Sequence, residues 1–169
     1  IYPLFIWGIS RVAFPVKADG SLIKLIDRIT GSELIGQKFT SRKYFHSRPS
    51  AIDYEPMPSG GSNLAPTSKR LKNVVDSIRA EYSKINELPE NTDIPPDAVF
   101  SSASGIDPHI GVQNAMLQVN RISNERKFDA IKHDKLIELI KKNTEEPQYG
   151  VFGGERINVL ILNLELDKL

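Results

Sequence analysis

The sequence predicts a mixed α/β (α+β) fold: a single soluble domain with three main helices packed on a small mixed sheet. Three observations lead there. Apolar residues recur at three- and four-residue spacings over 69–85 and again between 111 and 143, as amphipathic helices require. A nearly continuous apolar run, Ile157-Asn-Val-Leu-Ile-Leu-Asn-Leu-Glu-Leu166, is β-branched at its start and reads as a strand buried on at least one face. The length, 169 residues, suits one core of ordinary size, since a domain takes ~150 residues.

In chain order, Ile1-Tyr-Pro-Leu-Phe-Ile-Trp-Gly-Ile9 is apolar up to Arg11. The run is too short to cross a bilayer, which takes ~20 apolar residues. It reads equally as the trailing end of a membrane span or as an amphipathic helix packed on the core. In the first case Tyr2 and Trp7 suit the interface and Arg11 marks the exit into water. Leu22–Ile29 and Ser32–Ile35 then flank Thr30-Gly31, which predicts a short hairpin.

Residues 36–68 carry little periodicity and many Gly, Pro, Ser and Asn. Loops of this length are functional or disordered, and Tyr44, Phe45, Ile52, Tyr54 and Leu64 supply packing anchors that argue against disorder. A helix follows, capped by Thr67 or Ser68, with Leu71, Val74, Val75, Ile78, Tyr82 and Ile85 on its apolar face. The Pro-rich segment 88–96 breaks it and leads to a predicted strand near 98–102. Two further helices are predicted. One covers Gly111–Asn124, burying Ala115, Met116, Val119 and Ile122; the other spans about 129–143, burying Ile131, Leu136, Leu139 and Ile140.

Composition excludes some chemistry. With 22 basic and 21 acidic residues the net charge is +1, and no basic stripe points to nucleic acid. The absence of cysteine removes thiolate nucleophiles, disulfides and the common structural zinc sites, and leaves the redox compartment open.

Three polar sets are candidates for a site. The loop Ser59-Gly60-Gly61-Ser62-Asn63 has the small residues of a phosphate cradle, but Asn63 and Leu64 stand where a P-loop needs Lys and Ser or Thr. His46, Asp107 and His109 offer imidazole and carboxylate ligands, and Ser104 beside Gly105 invites a metal-dependent hydrolase reading with Asp107 and His109 as its working pair. Neither an H-E-x-x-H nor a G-x-S-x-G pattern accompanies them, so Asp107 reads better as a cap or a bond within its own loop. Arg48, Asn63, Asn158 and Asn163 form a third set, in which two amides interrupt an apolar run and need partners; tying loops to the sheet explains them as well as a ligand does.

Ordered segments along nearly the whole chain carry a family resemblance. Tyr2-Pro-Leu4, Phe14-Pro15, Ala18-Asp-Gly-Ser-Leu-Ile23, Leu34-Ile-Gly-Gln37, Tyr44-Phe-His-x-Arg-Pro-Ser-Ala51, Ser59-Gly-Gly-Ser-Asn-Leu64, Ala103-Ser-Gly-Ile-Asp-Pro-His-Ile110, Gln118-Val-x-Arg121 and Val159-Leu-x-Leu-Asn-Leu164 closely resemble the C subunits of Kdp-type potassium-transporting ATPases. The resemblance implies a non-catalytic accessory subunit of an ATP-driven, high-affinity potassium uptake pump, with the potassium-conducting KdpA and the ATP-hydrolysing KdpB as partners. It implies a single-pass plasma-membrane protein, residues 1–14 being the remnant of an N-terminal anchor and juxtamembrane segment, and 15–169 a soluble extracytoplasmic domain.

It also implies a catalytic chaperone that raises the affinity of KdpB for ATP, with Gln118 as the matching nucleotide-binding glutamine. No tightly bound cofactor is expected, ATP being met through a ternary complex with KdpB. An extracytoplasmic domain without a P-loop lysine fits assembly and regulation better, with the loops around His46, Arg48, 59–63 and 104–109 shaped for a partner.

Overall fold

Helices from the second half of the chain pack around Phe45, a buried residue of the long loop, in the computed structural model, which describes residues 1–25 and 28–169. The chain opens with α1 (Tyr2–Ala13) and the single turn α2 (Pro15–Ala18), followed by the antiparallel pair β1 (Leu22–Leu25) and β2 (Arg28–Ser32). The predicted hairpin is present, but Thr30 and Gly31 lie inside β2 rather than at the turn. Leu25 pairs with Arg28, and the predicted strand residues Ile26 and Asp27 lie outside the described residues.

Helix α3 (Lys69–Ile85) begins where the sequence places it, Ser68 Oγ accepting from Leu71 N at 3.4 Å. Its apolar face covers a small cluster of Ile94, Ala98 and Val99, with Val75, Ile78 and Tyr82 packed on it. The strand predicted near 98–102 is absent from that stretch: Pro96–Ala98 is a 3-10 turn and the backbone beyond it is irregular. The amides of Ala98, Val99 and Phe100 turn back to Pro95 O and Pro96 O, so they are not free for a ladder.

The main core gathers Phe45, Ile110, Ala115, Ile122, Leu136, Ile140, Ile157 and Leu162. Strand β3 (His109–Ile110) leads into α4 (Val112–Leu117) and α5 (Val119–Arg126). The single predicted helix 111–124 is thus divided at Gln118, whose amide turns to Ala115 O at 3.1 Å while Asn114 O accepts the Tyr82 hydroxyl. Met116 is exposed at this break instead of buried. Helix α6 (Ala130–Lys142) is capped by Asp129, which accepts from Lys132 N at 2.8 Å. Ile131, expected to pack, is exposed in its first turn.

The largest departure is at the C-terminus. Strand β5 (Arg156–Asn158) pairs antiparallel with β3 on one side and β4 (Thr144–Glu145) on the other, but Val159–Leu166 is a helix, α7. Asn158 caps it, its Oδ1 accepting from Ile161 N at 3.2 Å. A run apolar on every side suits a buried helix as well as a strand, and periodicity alone does not separate them. Among the described residues the fold is α+β with two small antiparallel sheets, and α4, α5, α6 and α7, but not α3, line the main core.

Candidate functional site

The polar centre of the domain holds residues 42–46 against α5 and α7. Phe45 is fully buried, and Asn163 on α7 meets its backbone twice: Phe45 N donates to Asn163 Oδ1 at 2.8 Å and Asn163 Nδ2 donates to Phe45 O at 3.0 Å. Gln118 does the same for the next residue, accepting from His46 N at 2.7 Å and donating to His46 O at 3.2 Å. The two side-chain amides act as a short false strand that satisfies loop backbone where no sheet reaches it.

Arg121, one turn beyond Gln118, is fully buried. Its guanidinium donates to Asn86 Oδ1 and Gln118 Oε1, both at 2.8 Å, to Tyr44 O at 3.0 Å and to Arg42 O. Each acceptor is neutral. Burial lowers the guanidinium to about 10, so it is still a cation at neutral pH. Asn114 closes the network, its Oδ1 accepting from Gln118 Nε2 at 3.0 Å and from the Tyr82 hydroxyl at 2.8 Å, its Nδ2 donating to Asp97 at 2.8 Å. Burial, and then the charge of Arg121, push the His46 imidazole down to about 4, leaving it neutral beside this cation.

A second assembly joins the two Gly- and Ser-rich loops to each other. Gly60 N donates to Ser104 O at 3.0 Å, and a Cβ on Gly61 would stand 3.1 Å from Ala103 O. Gly105 has φ +71° and passes so close that a Cβ there would lie 2.5 Å from Ile52 and 2.7 Å from Gly60 O. Ser102 Oγ accepts from Gly105 N, while Ser50 Oγ donates to Gly105 O at 2.6 Å. Ser59, Ser62 and Asn63 remain exposed, Asn63 with φ +52°, so Gly60 rather than Asn63 makes the tie.

Arg48 joins the two loops, reaching Asp107 Oδ2 at 2.9 Å. Asp107 Oδ1 accepts from His109 N at 3.0 Å and lies 3.4 Å from His109 Nδ1. Burial opposes ionisation of Asp107, but the hydrogen bonds from His109 and the charge of Arg48 outweigh it and hold the carboxyl below its usual range. Ser104 Oγ accepts from Ile106 N at 3.3 Å within its own turn. His46 is part of the separate network described above, so the predicted trio of His46, Asp107 and His109 is not brought together. Among the described residues no group of three or more His, Asp and Glu side chains could hold a metal ion, and the hydrolase reading is set aside.

Sequence reasoning gave no role to Asn86, Asn114 or Arg121. The signal was present: Asn114, Gln118 and Arg121 follow one another at i, i+4 and i+7, on the same side of the chain as the buried Ala115, Val119 and Ile122. Asn158 and Asn163 are loop ties, as their first reading allowed; Asn158 Nδ2 donates to Glu33 O at 2.8 Å. An open cleft of about 320 Å³ runs between α3 and residues 38–54, with His46, Arg48, Tyr54 and Tyr82 in its wall. Gln118 is fully buried behind it.

Fold and site together define an α+β domain whose inner polar groups are turned upon its own loops and hold a long irregular surface in one shape. The chain belongs to the KdpC family, the c chain of K+-transporting ATPases, whose family model matches residues 1–168. It is 44% identical over 170 residues to the potassium-transporting ATPase KdpC subunit of Bacillus mycoides, covering 100% of this chain and 86% of that protein. The KdpC subunit of Caldanaerobacter subterraneus is 42% identical, with 98% of this chain and 84% of that one covered. That of Nitratidesulfovibrio vulgaris is 42% identical, with 99% and 85% covered.

Proposed function

We propose that this chain is an accessory, non-catalytic subunit of an ATP-driven potassium pump, acting in assembly and regulation by presenting residues 36–68 and 102–109 as a preformed surface to KdpA and KdpB. The observation that carries the reading is membership of the KdpC family along the whole chain. The internal chemistry supports it, since the amides and the guanidinium at the centre are committed to shaping those loops.

Helix α1 is the membrane-facing element in this reading. None of its residues is buried, and Leu4, Phe5, Trp7 and Val12 all stand open to solvent. Its 12 residues rise about 18 Å, short of the ~30 Å hydrocarbon core. Among the described residues no helix is long and apolar enough to cross a membrane. Residues 15–169 then lie on the extracytoplasmic side.

The chaperone mechanism is assigned to Gln118 only indirectly. Both amide atoms of Gln118 are engaged with His46, Asn114 and Arg121, so direct contact with ATP requires residues 42–46 to lift away. Calorimetry with ATP on the wild type and Gln118→Ala separates the alternatives: absence of heat in both supports a shaping role, and saturable binding lost in the variant supports nucleotide contact. The main reading is tested by assembling KdpA and KdpB with and without this chain. Co-purification of the three, potassium uptake that depends on this chain, and hydrogen-exchange protection of 36–68 on assembly are the expected results. A pump equally stable and active without it overturns the proposal.

A further inference from the structure

Residues 146–155 link β4 to β5, and their turn is already set: Gln148 and Phe152 exchange both backbone hydrogen bonds at 2.9 Å, with Gly150 and Gly153 at φ +73° and +89°. On this turn Tyr149, Val151 and Phe152 are 93%, 76% and 67% exposed. Large apolar side chains held outward on a preformed turn mark an interaction site. Two exposed carboxylates flank them, Glu146 and Glu155, with no ion pair of their own among the described residues; Glu145 is paired to Arg156 at 2.9 Å. At the base of the hairpin, Glu145 and Arg156 line one cleft with Lys17 and Ser21, the residues that follow α1.

We propose that the 147–152 tip is an anchor that docks into an apolar, basic-rimmed pocket on a membrane-embedded partner subunit of the pump. The proposal rests on the accessory-subunit reading above and names the surface and the chemistry of its partner. Aromatic side chains on a fixed turn lose little conformational freedom on burial and carry a large share of interface energy. Glu146 and Glu155 call for a basic rim and are repelled by an anionic lipid surface, which favours a protein pocket over the bilayer. The common cleft with Lys17 and Ser21 puts the base of the hairpin beside the residues that leave the C-terminal end of the membrane-facing helix, and so favours a membrane-embedded partner over a soluble one.

The test uses the full chain co-expressed with KdpA and KdpB, as wild type, as Tyr149→Ser with Phe152→Ser, and as Glu146→Lys with Glu155→Lys. Loss of two central aromatic anchors is expected to weaken association by about thirtyfold or more. Charge reversal is expected to weaken it at low salt and to abolish the fall in affinity with added salt. Hydrogen exchange of the core, which these exposed side chains do not contact, should be unchanged in both variants. If the wild-type chain does not join the other subunits, the accessory-subunit reading fails. If it joins and the serine variant joins equally tightly, the anchor proposal alone fails. Binding to phosphatidylcholine–phosphatidylglycerol vesicles that is lost in the serine variant replaces the protein pocket with lipid, and concentration-dependent self-association lost in that variant replaces it with a second copy; either result overturns the proposal.

Discussion

Gln118 and the backbone of His46 are paired in both directions, the side-chain amide accepting from His46 N at 2.7 Å and donating to His46 O at 3.2 Å, 72 residues away in sequence. This contact fixes a loop to the junction of two helices. Because Gln118 also accepts from Arg121, it links the loop to the buried cation.

Gln118→Ala is expected to cost about 2–4 kcal/mol, since it leaves the His46 backbone N–H and C=O and one Arg121 donor without a partner in a buried site. Urea unfolding measures the loss, and hydrogen exchange should show the new mobility concentrated at 42–46. Unchanged protection of that segment would show that Gln118 does not hold it.

Asn163→Ala strips the same loop of its other support and should cost about 2–3 kcal/mol. Because Asn163 and Gln118 grip adjacent residues, Phe45 and His46, the double variant should lose less than the sum of the singles by more than about 0.5 kcal/mol. Strict additivity in the double-mutant cycle would argue that the two grips are independent. Asn158→Ala, which removes the α7 cap, is a separate loss of about 1–2 kcal/mol.

Stability should fall as pH drops from 6.5 towards 4. The His46 imidazole is lowered from 6.5 to about 4 in the folded protein, so the unfolded chain binds the extra proton in that interval. The contribution is fully present above pH 6.5 and is lost on acidification down to about 4, an effect of up to about 3 kcal/mol. Asp107, held below its ordinary 3.8, adds a loss of the same sign at still lower pH. His46→Asn should flatten the urea midpoint between pH 4 and 6.5; an unaltered slope would reject the assignment.

Gly105→Ala should separate the two Gly- and Ser-rich loops. It places a Cβ at φ +71° and within 2.7 Å of Gly60 O, for a cost of about 2–4 kcal/mol. Thermal unfolding reads the cost, and exchange at 59–64 should rise more than exchange at 42–46. Gly60→Ala has open space around its Cβ and is the contrasting control.

Much of the fold was legible because it depends on local chemistry. Thr67 or Ser68 marks the start of α3, and the three- and four-residue spacing of Leu136, Leu139 and Ile140 sets the buried face of α6. The Val159–Leu166 helix was not legible from its pattern, since a run apolar on all sides leaves period 2 and period 3.6 undistinguished. The break at Gln118 was hidden for a different reason: it depends on Tyr82, a residue 32 positions before Asn114, taking the carbonyl that would have continued the helix.

The sequence by itself determined the family, the amphipathic helices, the cap region of α3, the absence of thiol chemistry and the position of the two Gly- and Ser-rich loops. Only the tertiary structure decided which groups those loops meet. It joined Gly60 to Ser104 and Arg48 to Asp107, kept His46 apart from His109, and surrounded Arg121 with neutral acceptors. The division follows from range: caps and periodicity are satisfied within a few residues, whereas a buried amide or guanidinium must find its partners wherever packing brings them, and here some of those partners stand as far as 125 residues away.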